Sequence, residues 1–269
     1  MPRFVTTPLL PLSRDTKARL MGTPLVVMLD VDGTLAPIVA RFDEAVVPPA
    51  TQRAVGALVD RPDVHVALVS GRSAAVARRM VGVSHVWVAG NHGFEVEGPS
   101  GEDFSDPGMA RYRGVIAAAV EQLRPHVGDM EGVIVEDKAI TLSVHWRLAD
   151  PSIAPRLRLA VDRVAQALGL RVTTGKRIYE IKPAALIDKG TAVLALAERL
   201  AAGHDEASMM FAGDDVTDED AIRALREHHP RAVTVRIHGE GSTATAAEFS
   251  LRDTESMRVF LEELAALRH

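Results

Sequence analysis

Short apolar runs that each stop at a polar residue punctuate the chain. Leu25-Val26-Val27-Met28-Leu29 stops at Asp30, His65-Val66-Ala67-Leu68-Val69 at Ser70, and Met209-Met210-Phe211-Ala212-Gly213 at Asp214. Residues 86–89 and 232–237 form two further runs. None of the three alternates apolar with polar positions, which is the pattern of strands covered on both faces. Residues 51–59, 73–80, 191–202, 218–228 and 255–267 read as helices between and after them. Strand and helix alternate, so the expected fold is α/β with a Rossmann-like doubly wound parallel sheet. Ligands bind such sheets beyond the carboxyl ends of the strands, where Asp30, Ser70 and Asp214 fall.

The middle third follows another rhythm. A helix over about 109–123 is followed by alternating runs at 133–138 and 140–147, a helix at 154–168, and a hairpin at 171–181 with Gly175-Lys176 at its turn. This order predicts an antiparallel α+β domain at 108–185, inserted into a core made of 24–107 and 186–269. Residues 1–23, with Pro2, Pro8 and Pro11, read as a frayed N-terminal arm. They lack the basic-then-apolar order of an export signal, which predicts a cytoplasmic protein.

Composition narrows the functions available. Of 269 residues, 47% are hydrophobic and 25% charged, enough apolar material for a core. The formal net charge of -5 argues against a nucleic-acid partner, which calls for a basic face. No apolar run reaches the length of a membrane span. With no cysteine, disulfides, thiolate metal sites and a cysteine nucleophile are excluded.

Four motifs offer chemistry. In Asp30-Val31-Asp32-Gly33-Thr34, two carboxylates follow a buried strand, and Gly33 allows a sharp turn whose N–H groups can face an anion. A calcium loop is the rival reading, but Gly33 falls at the fourth position and Arg41 stands where a bidentate Glu belongs. Gly213-Asp214-Asp215-Val216-Thr217-Asp218-Glu219-Asp220 packs acids at the start of a helix. Helix capping accounts for the later ones, but not for Asp214 directly after an apolar strand, where burial penalises an unpaired charge. Oxygen donors in this number, without His or Cys nearby, suit Mg²⁺. Lys189 opens a helix, an end that disfavours cations, so its charge is expected to be needed elsewhere. Ser70-Gly71-Arg72 offers a hydroxyl, an N–H and a guanidinium, although Ser70 could instead cap the next helix.

Together these motifs resemble the haloacid dehalogenase superfamily of phosphohydrolases. The resemblance implies Asp30 as a nucleophile forming an aspartyl-phosphate and Asp32 as general acid/base. It implies Ser70 and Lys189 as phosphate-holding catalytic groups, assisted by Gly33, Thr34, Gly71 and Arg72. Mg²⁺ would be bound by Asp30, Asp214, Asp218 and the backbone carbonyl of Asp32. Charge arithmetic agrees: with Asp32 protonated, three carboxylates remain, and Mg²⁺ with Lys189 neutralises them. Like charges 4 Å apart repel by about 4 kcal/mol at an effective dielectric near 20, so a phosphate could hardly approach such acids unaided.

The insertion resembles the larger cap of sugar phosphatases, and its motifs look like those of the trehalose-6-phosphate phosphatase family. Those motifs are Val135-Glu136-Asp137-Lys138, His145-Trp146-Arg147 and Tyr179-Glu180-Ile181-Lys182-Pro183, with Asn91-His92-Gly93 on the core. That resemblance implies a sugar-phosphate substrate read by Glu136, Lys138 and Glu180, with Asn91, His92, His145 and Arg147 also in the binding set, and a cap that closes over the core of a monomer. Trp146 and Lys182 depart from the tyrosine and arginine expected there. Sucrose-phosphate and mannosyl-phosphoglycerate phosphatases share the architecture, and a receiver-type phosphate switch shares part of the acid, hydroxyl and lysine set. Glu136 and Lys138 could also be a plain surface pair, and Asn91-His92 a plain turn. Gly239 to Ala244 fits a dinucleotide motif but leaves too little chain after it for that fold.

Overall fold

The computed structural model describes residues 7–8 (backbone only), 12–39, 41–175, 177–238 and 244–268. Its contacts divide the chain into two compact units: Met1–Phe104 with Ile187–His269, and Ser105–Leu186.

The first unit holds β1 (Thr7–Pro8), α1 (Arg14–Arg19), β2 (Leu25–Leu29), α2 (Pro49–Val59), β3 (Val64–Val69), α3 (Ala74–Val81), β4 (Trp87–Gly90) and β5 (Glu95–Glu97). The second holds α4 (Tyr112–Val127), β6 (Ile134–Asp137), β7 (Leu142–His145), α5 (Ala154–Ala167), β8 (Leu170–Gly175) and β9 (Ile178–Pro183). The chain then returns to the first unit with α6 (Lys189–Leu200), β10 (Ser208–Gly213), α7 (Asp218–His228), β11 (Val233–Ile237), β12 (Phe249–Leu251) and α8 (Thr254–Leu267).

The core sheet runs β1-β12-β11-β10-β2-β3-β4-β5. All neighbours are parallel except β4 and β5, which pair antiparallel. The reason β2 shows no alternation is visible in its packing. Leu25, Val27 and Leu29 enter one core with α2, α3 and α8 residues such as Leu58, Ala77 and Phe260. Val26 and Met28 enter the other, with Val193 and Leu196 of α6 and Ile222 and Leu225 of α7. Both faces are covered, so every side chain of β2 is apolar. The chain leaves β2 towards β3 and returns on its other side at β10, which makes the carboxyl ends of β2 and β10 the switch point of the sheet.

In the second unit the antiparallel sheet β6-β7-β9-β8 packs α4 and α5 on one face through Leu142, Val144, Tyr179 and Ile181. Register places Glu136, Ser143, Glu180 and Thr173 in one row across the four strands. Strand alternation therefore gives this sheet one apolar and one polar face.

Several expectations need correction. The segment read as a frayed arm contains α1, capped by Ser13, and buries Leu12 and Leu20 in the core. A helix of six residues is too short to show periodicity between prolines. Helix α4 begins at Tyr112 rather than 109 and continues past Pro125, because Leu123 and Val127 are both buried in the core of this unit. Helix α6 begins at Lys189, two residues before Thr191, since Asp188 and Thr191 form a capping box with Thr191 at its third position. The edge strands β1 and β5, and β12 next to β1, are two or three residues long and escaped the hydrophobic pattern. Lys176 and residues 239–243, part of the dinucleotide-like motif, lie outside the described residues.

Candidate active site

Three strand ends and one helix start converge in the first unit. Asp30 follows β2 and is buried, and its N–H donates to the Ala212 carbonyl of β10. Lys189, 2% exposed at the start of α6, reaches back with Nζ 2.7 Å from Asp30 Oδ1 and 2.7 Å from Asp218 Oδ1. This explains a lysine at a helix N-terminus: two buried carboxylates outweigh the unfavourable helix dipole. The other oxygen of Asp218 accepts the N–H groups of Asp214 and Asp215, each at 2.9 Å, which folds the acidic loop around it. Asp215, left without a role by the sequence, accepts from Thr217 N, Thr217 Oγ1 and Asp218 N and so caps the start of α7.

Asp30, Asp214 and Asp218 each bring one carboxylate oxygen within 4.8 Å of the others. Among the described residues, Asp30 Oδ2 is buried without a hydrogen-bond partner, as is Thr34 Oγ1. Burial pushes Asp30 up to about 7, with Lys189 opposing and Asp214 and Asp215 adding to the rise. Burial and the neighbouring Asp218 and Asp215 push Asp214 up to about 7. Burial and the Asp30 charge also push Asp218 upward. Burial opposes ionisation of Asp215 too, yet Lys189 and its hydrogen bonds hold it down at about 2. Lys189 stays charged: burial works against it, but Asp218 and Asp30 win and hold its pKa above the ordinary lysine value. One ammonium thus faces four crowded carboxylates, an oxygen-only donor set with excess negative charge that fits a hard divalent cation.

A pH dependence follows from these shifts. The folded chain retains protons on Asp30 and Asp214 up to about 7, whereas the unfolded chain releases them near the ordinary 3.8. Between those values the unfolded state binds fewer protons, so stability falls as pH rises. In EDTA, melting temperature is expected to be higher at pH 5 than at pH 8, and saturating Mg²⁺ to abolish most of that difference. A melting temperature that rises with pH in EDTA would remove the picture of crowded acids.

Gly33 is required twice over. Its φ of +89° disfavours any side chain, and a Cβ there would meet the Asp214 carboxylate at 2.2 Å. Beyond it, Asp32 has a different partner from Asp30. The Arg72 guanidinium donates from Nε to Asp32 Oδ2 at 2.7 Å and from Nη2 to Oδ1 at 2.6 Å, a bidentate fork. Arg72 therefore meets an acid of the site, a contact that the phosphate-binding expectation did not foresee.

Ser70 does not cap α3; its Oγ accepts the Arg72 N–H at 3.1 Å, and Glu95 Oε2 takes the Ala74 N–H at the helix start. The Ser70-Gly71-Arg72 turn is laced to the next strand end: Asn91 N–H donates to Arg72 O and His92 N–H to Ser70 O. Asn91 and His92 are buried with φ of +51° and +59°. A Cβ on Gly71 would meet the His92 imidazole at 2.7 Å, so the two turns pack as one. Two buried non-glycine residues in the left-handed region are a strained arrangement, of the kind that clusters at functional sites.

The polar face of the second unit gathers most of the other predicted residues. Glu136 Oε2 accepts from His145 Nε2 at 2.8 Å in the tautomer that carries a proton there, and lies 3.9 Å from Lys138 Nζ. Lys138 Nζ lies 3.8 Å from Glu180, whose other oxygen is 2.6 Å from Lys182 Nζ. Glu136 and Lys138 are thus more than a surface pair, with Lys138 only 8% exposed. Lys182 belongs to the same cluster, and burial pulls its pKa down against the pull of Glu180. Sequence reading noted Lys182 only as a departure from pattern; its two-residue spacing from Glu180 was the available signal. Arg147 had been placed on a strand, but β7 stops at His145 and Arg147 is exposed in the turn beyond it.

The gathering of Asp30, Asp214 and Asp218 beside one buried lysine at the switch point of the sheet defines a haloacid dehalogenase-like α/β protein. The sequence pattern of the trehalose-phosphatase family matches residues 28–255. The chain belongs to that family. It is 37% identical over 253 residues to an uncharacterized glycosyl hydrolase of Mycobacterium tuberculosis, covering 93% of this chain and 19% of that protein. It is 35% identical over 240 residues to a trehalose-phosphate phosphatase of Mycobacterium bovis, covering 89% of this chain and 61% of the relative. The chain therefore spans about a fifth to three fifths of these relatives. Among solved structures, a trehalose-6-phosphate phosphatase related protein superposes with a TM-score of 0.78 at 27% identity, over 90% of this chain and 97% of that one. The C-terminal domain of the C. albicans trehalose-6-phosphate phosphatase shares the fold, with a TM-score of 0.78 at 22% identity over 97% and 99% of the two chains. No helix among the described residues is long and apolar enough to cross a membrane.

Proposed function

We propose that the chain is a Mg²⁺-dependent phosphatase that hydrolyses trehalose 6-phosphate to trehalose and phosphate. The observation that carries the chemistry is Asp30: one oxygen is held by Lys189, and the other is buried without a hydrogen-bond partner among the described residues, beside two further carboxylates. The family, and the relative named as a trehalose-phosphate phosphatase, support the substrate.

In this reading Asp30 attacks phosphorus and forms an acyl-phosphate as the bond to the sugar oxygen breaks. Asp32 gives its proton to that leaving oxygen, then takes one from the water that cleaves the acyl-phosphate, regenerating Asp30 and releasing phosphate. Both Asp32 oxygens accept from Arg72, so proton transfer requires that fork to loosen. Lys189 and Ser70 hold the phosphoryl oxygens, with Gly33, Thr34, Gly71 and Arg72 around them. Asp30, Asp214, Asp218 and the Asp32 carbonyl would hold Mg²⁺, which when bound would supply charge neutralisation for the phosphoryl group. Asn91 and His92 contribute binding groups on the first unit, and the second unit reads the sugar hydroxyls through Glu136, Lys138 and Glu180, with His145 and Arg147 in its binding set. Its carboxylates and ammonium groups suit a ligand rich in donors and acceptors.

Phosphate release from trehalose 6-phosphate, sucrose 6-phosphate, glucose 6-phosphate and a small aryl phosphate, with Mg²⁺ and with EDTA, tests the reading. Mg²⁺-dependent preference for the trehalose ester is expected. Glu180→Ala is expected to lower kcat/KM on that ester by about 10- to 100-fold, the loss of one charge-assisted contact, and to leave the aryl phosphate within about twofold. Preference for another ester would discard the substrate, equal losses on both substrates would discard the sugar-reading role, and silence on every ester would discard the enzyme.

A further inference from the structure

A second buried cation stands behind the acidic loop, and the hydrolysis scheme makes no use of it. Arg236 lies near the end of β11, 8% exposed, between Val235 and Ile237 in a strand that is otherwise buried. Its register partner is Gly213, the last residue of β10 and the one before Asp214. From there Nη1 donates to the backbone carbonyl of Asp215 at 2.5 Å and to Glu219 Oε1 at 3.4 Å. Glu219, 4% exposed in the first turn of α7, uses its other oxygen to accept the Ala246 N–H at 2.8 Å.

We propose that Arg236, with Glu219, is a positioning residue that fixes loop 214–218 in the conformation needed to hold a divalent cation. The inference rests on the reading of Asp30, Asp214 and Asp218 as the cation's ligands.

The loop is restrained from two directions. Asp218 Oδ2 gathers the N–H groups of Asp214 and Asp215, and Arg236 holds the carbonyl of Asp215. With N–H and C=O of that residue both fixed, the loop backbone has little freedom to rotate, and the Asp214 carboxylate is held against Gly33. Packing alone does not account for a guanidinium here. A buried ion pair is on average no more stabilising than apolar side chains of the same volume, and both strand neighbours are apolar. Among the described residues Arg236 hydrogen-bonds to the Asp215 carbonyl and Glu219 and not to the ligand oxygens, so its effect is exerted through the loop, as outer groups orient metal ligands elsewhere.

The test is Mn²⁺ binding followed by electron paramagnetic resonance, without substrate, on wild type, Arg236→Met, Arg236→Lys and Arg19→Met. Arg19 is a fitting control, a largely buried arginine that forks onto Glu248 in the same unit and lies outside the active site. Arg236→Met is expected to weaken Mn²⁺ binding by about tenfold or more, the usual cost of losing a group behind the ligands. Arg236→Lys, which keeps the charge but not the forked reach, is expected to fall between it and wild type. Arg19→Met should lose thermal stability and keep wild-type Mn²⁺ affinity. Unchanged Mn²⁺ affinity in folded Arg236→Met overturns the proposal. If that variant does not fold, wild-type affinity in Arg236→Lys overturns it and weakened affinity supports it. Equal weakening in Arg19→Met would also overturn it, by showing a general loss of stability. Wild type that binds no Mn²⁺ would remove the cation-site reading itself, a result distinct from the others.

Discussion

Asp30→Asn is expected to lower turnover of trehalose 6-phosphate by about 10⁴-fold or more, because the amide cannot form the acyl-phosphate. The same substitution should leave the fold intact for a reason specific to this site. Asp30 is a buried carboxylate already pushed up to about 7, so at neutral pH its charge is barely sustained by Lys189. A neutral, isosteric amide keeps an oxygen for Lys189, and Lys189 keeps Asp218 as its counter-ion. The melting temperature of Asp30→Asn in EDTA should lie within about 4 °C of wild type, or about 1 kcal/mol in a chain of this size. Activity loss with an intact melt supports the nucleophile. Normal turnover would end that assignment, and a collapsed melt would point to Asp30 as a structural anchor.

Lys189→Met should do the opposite to stability. The substitution nearly conserves volume but leaves Asp30 and Asp218 buried without their shared cation. Breaking a buried pair on one side costs about 3–5 kcal/mol, since the remaining charge keeps its desolvation penalty. Urea unfolding in EDTA is expected to show a loss of that size, and Mg²⁺ to restore part of it by supplying positive charge to the same carboxylates. Turnover at saturating Mg²⁺ should still fall by about 10²–10³-fold, the usual cost of removing one group that stabilises developing charge. Wild-type stability in this variant would mean that the two short contacts to Lys189 carry little energy. A loss that Mg²⁺ does nothing to restore would separate Lys189 from the cation site.

The two variants diverge because the site is a frustrated cluster. Removing a carboxylate relieves it, and removing the ammonium exposes it. Arg236 enters the same balance from behind the loop, and the rise of Asp30 and Asp214 to about 7 marks how far one lysine falls short of neutralising its neighbours.

The strands that position the site were legible because burial on both faces forces apolar runs, and a run must stop where a charge begins. Leu25–Leu29 before Asp30 and Ser208–Gly213 before Asp214 are examples. The acids themselves were legible because a carboxylate at the end of a buried strand is costly without a partner. The partners were not legible. Lys189 lies 159 residues from Asp30, and its place at a helix start signalled a charge needed elsewhere without naming the carboxylates it meets. The Arg72 fork on Asp32 spans 40 residues, and the Arg236 contact with the Asp215 carbonyl involves a backbone group that carries no sequence signal.

The sequence by itself determined the α/β class, the edge of the sheet at which chemistry collects, and the residue types available there. These follow from local rules: periodicity, strand length, and the cost of burying charge next to apolar residues. Tertiary structure alone decided which charge meets which. It set Asp30 and Asp218 on one lysine, turned Arg72 onto Asp32, made Asp215 a cap, and joined Lys182 to the polar face of the inserted unit. Ion pairs act over a few ångströms between segments that sheet pairing brings together, and strand order in a doubly wound sheet is fixed by non-local burial, so those partners exist only once the chain has folded.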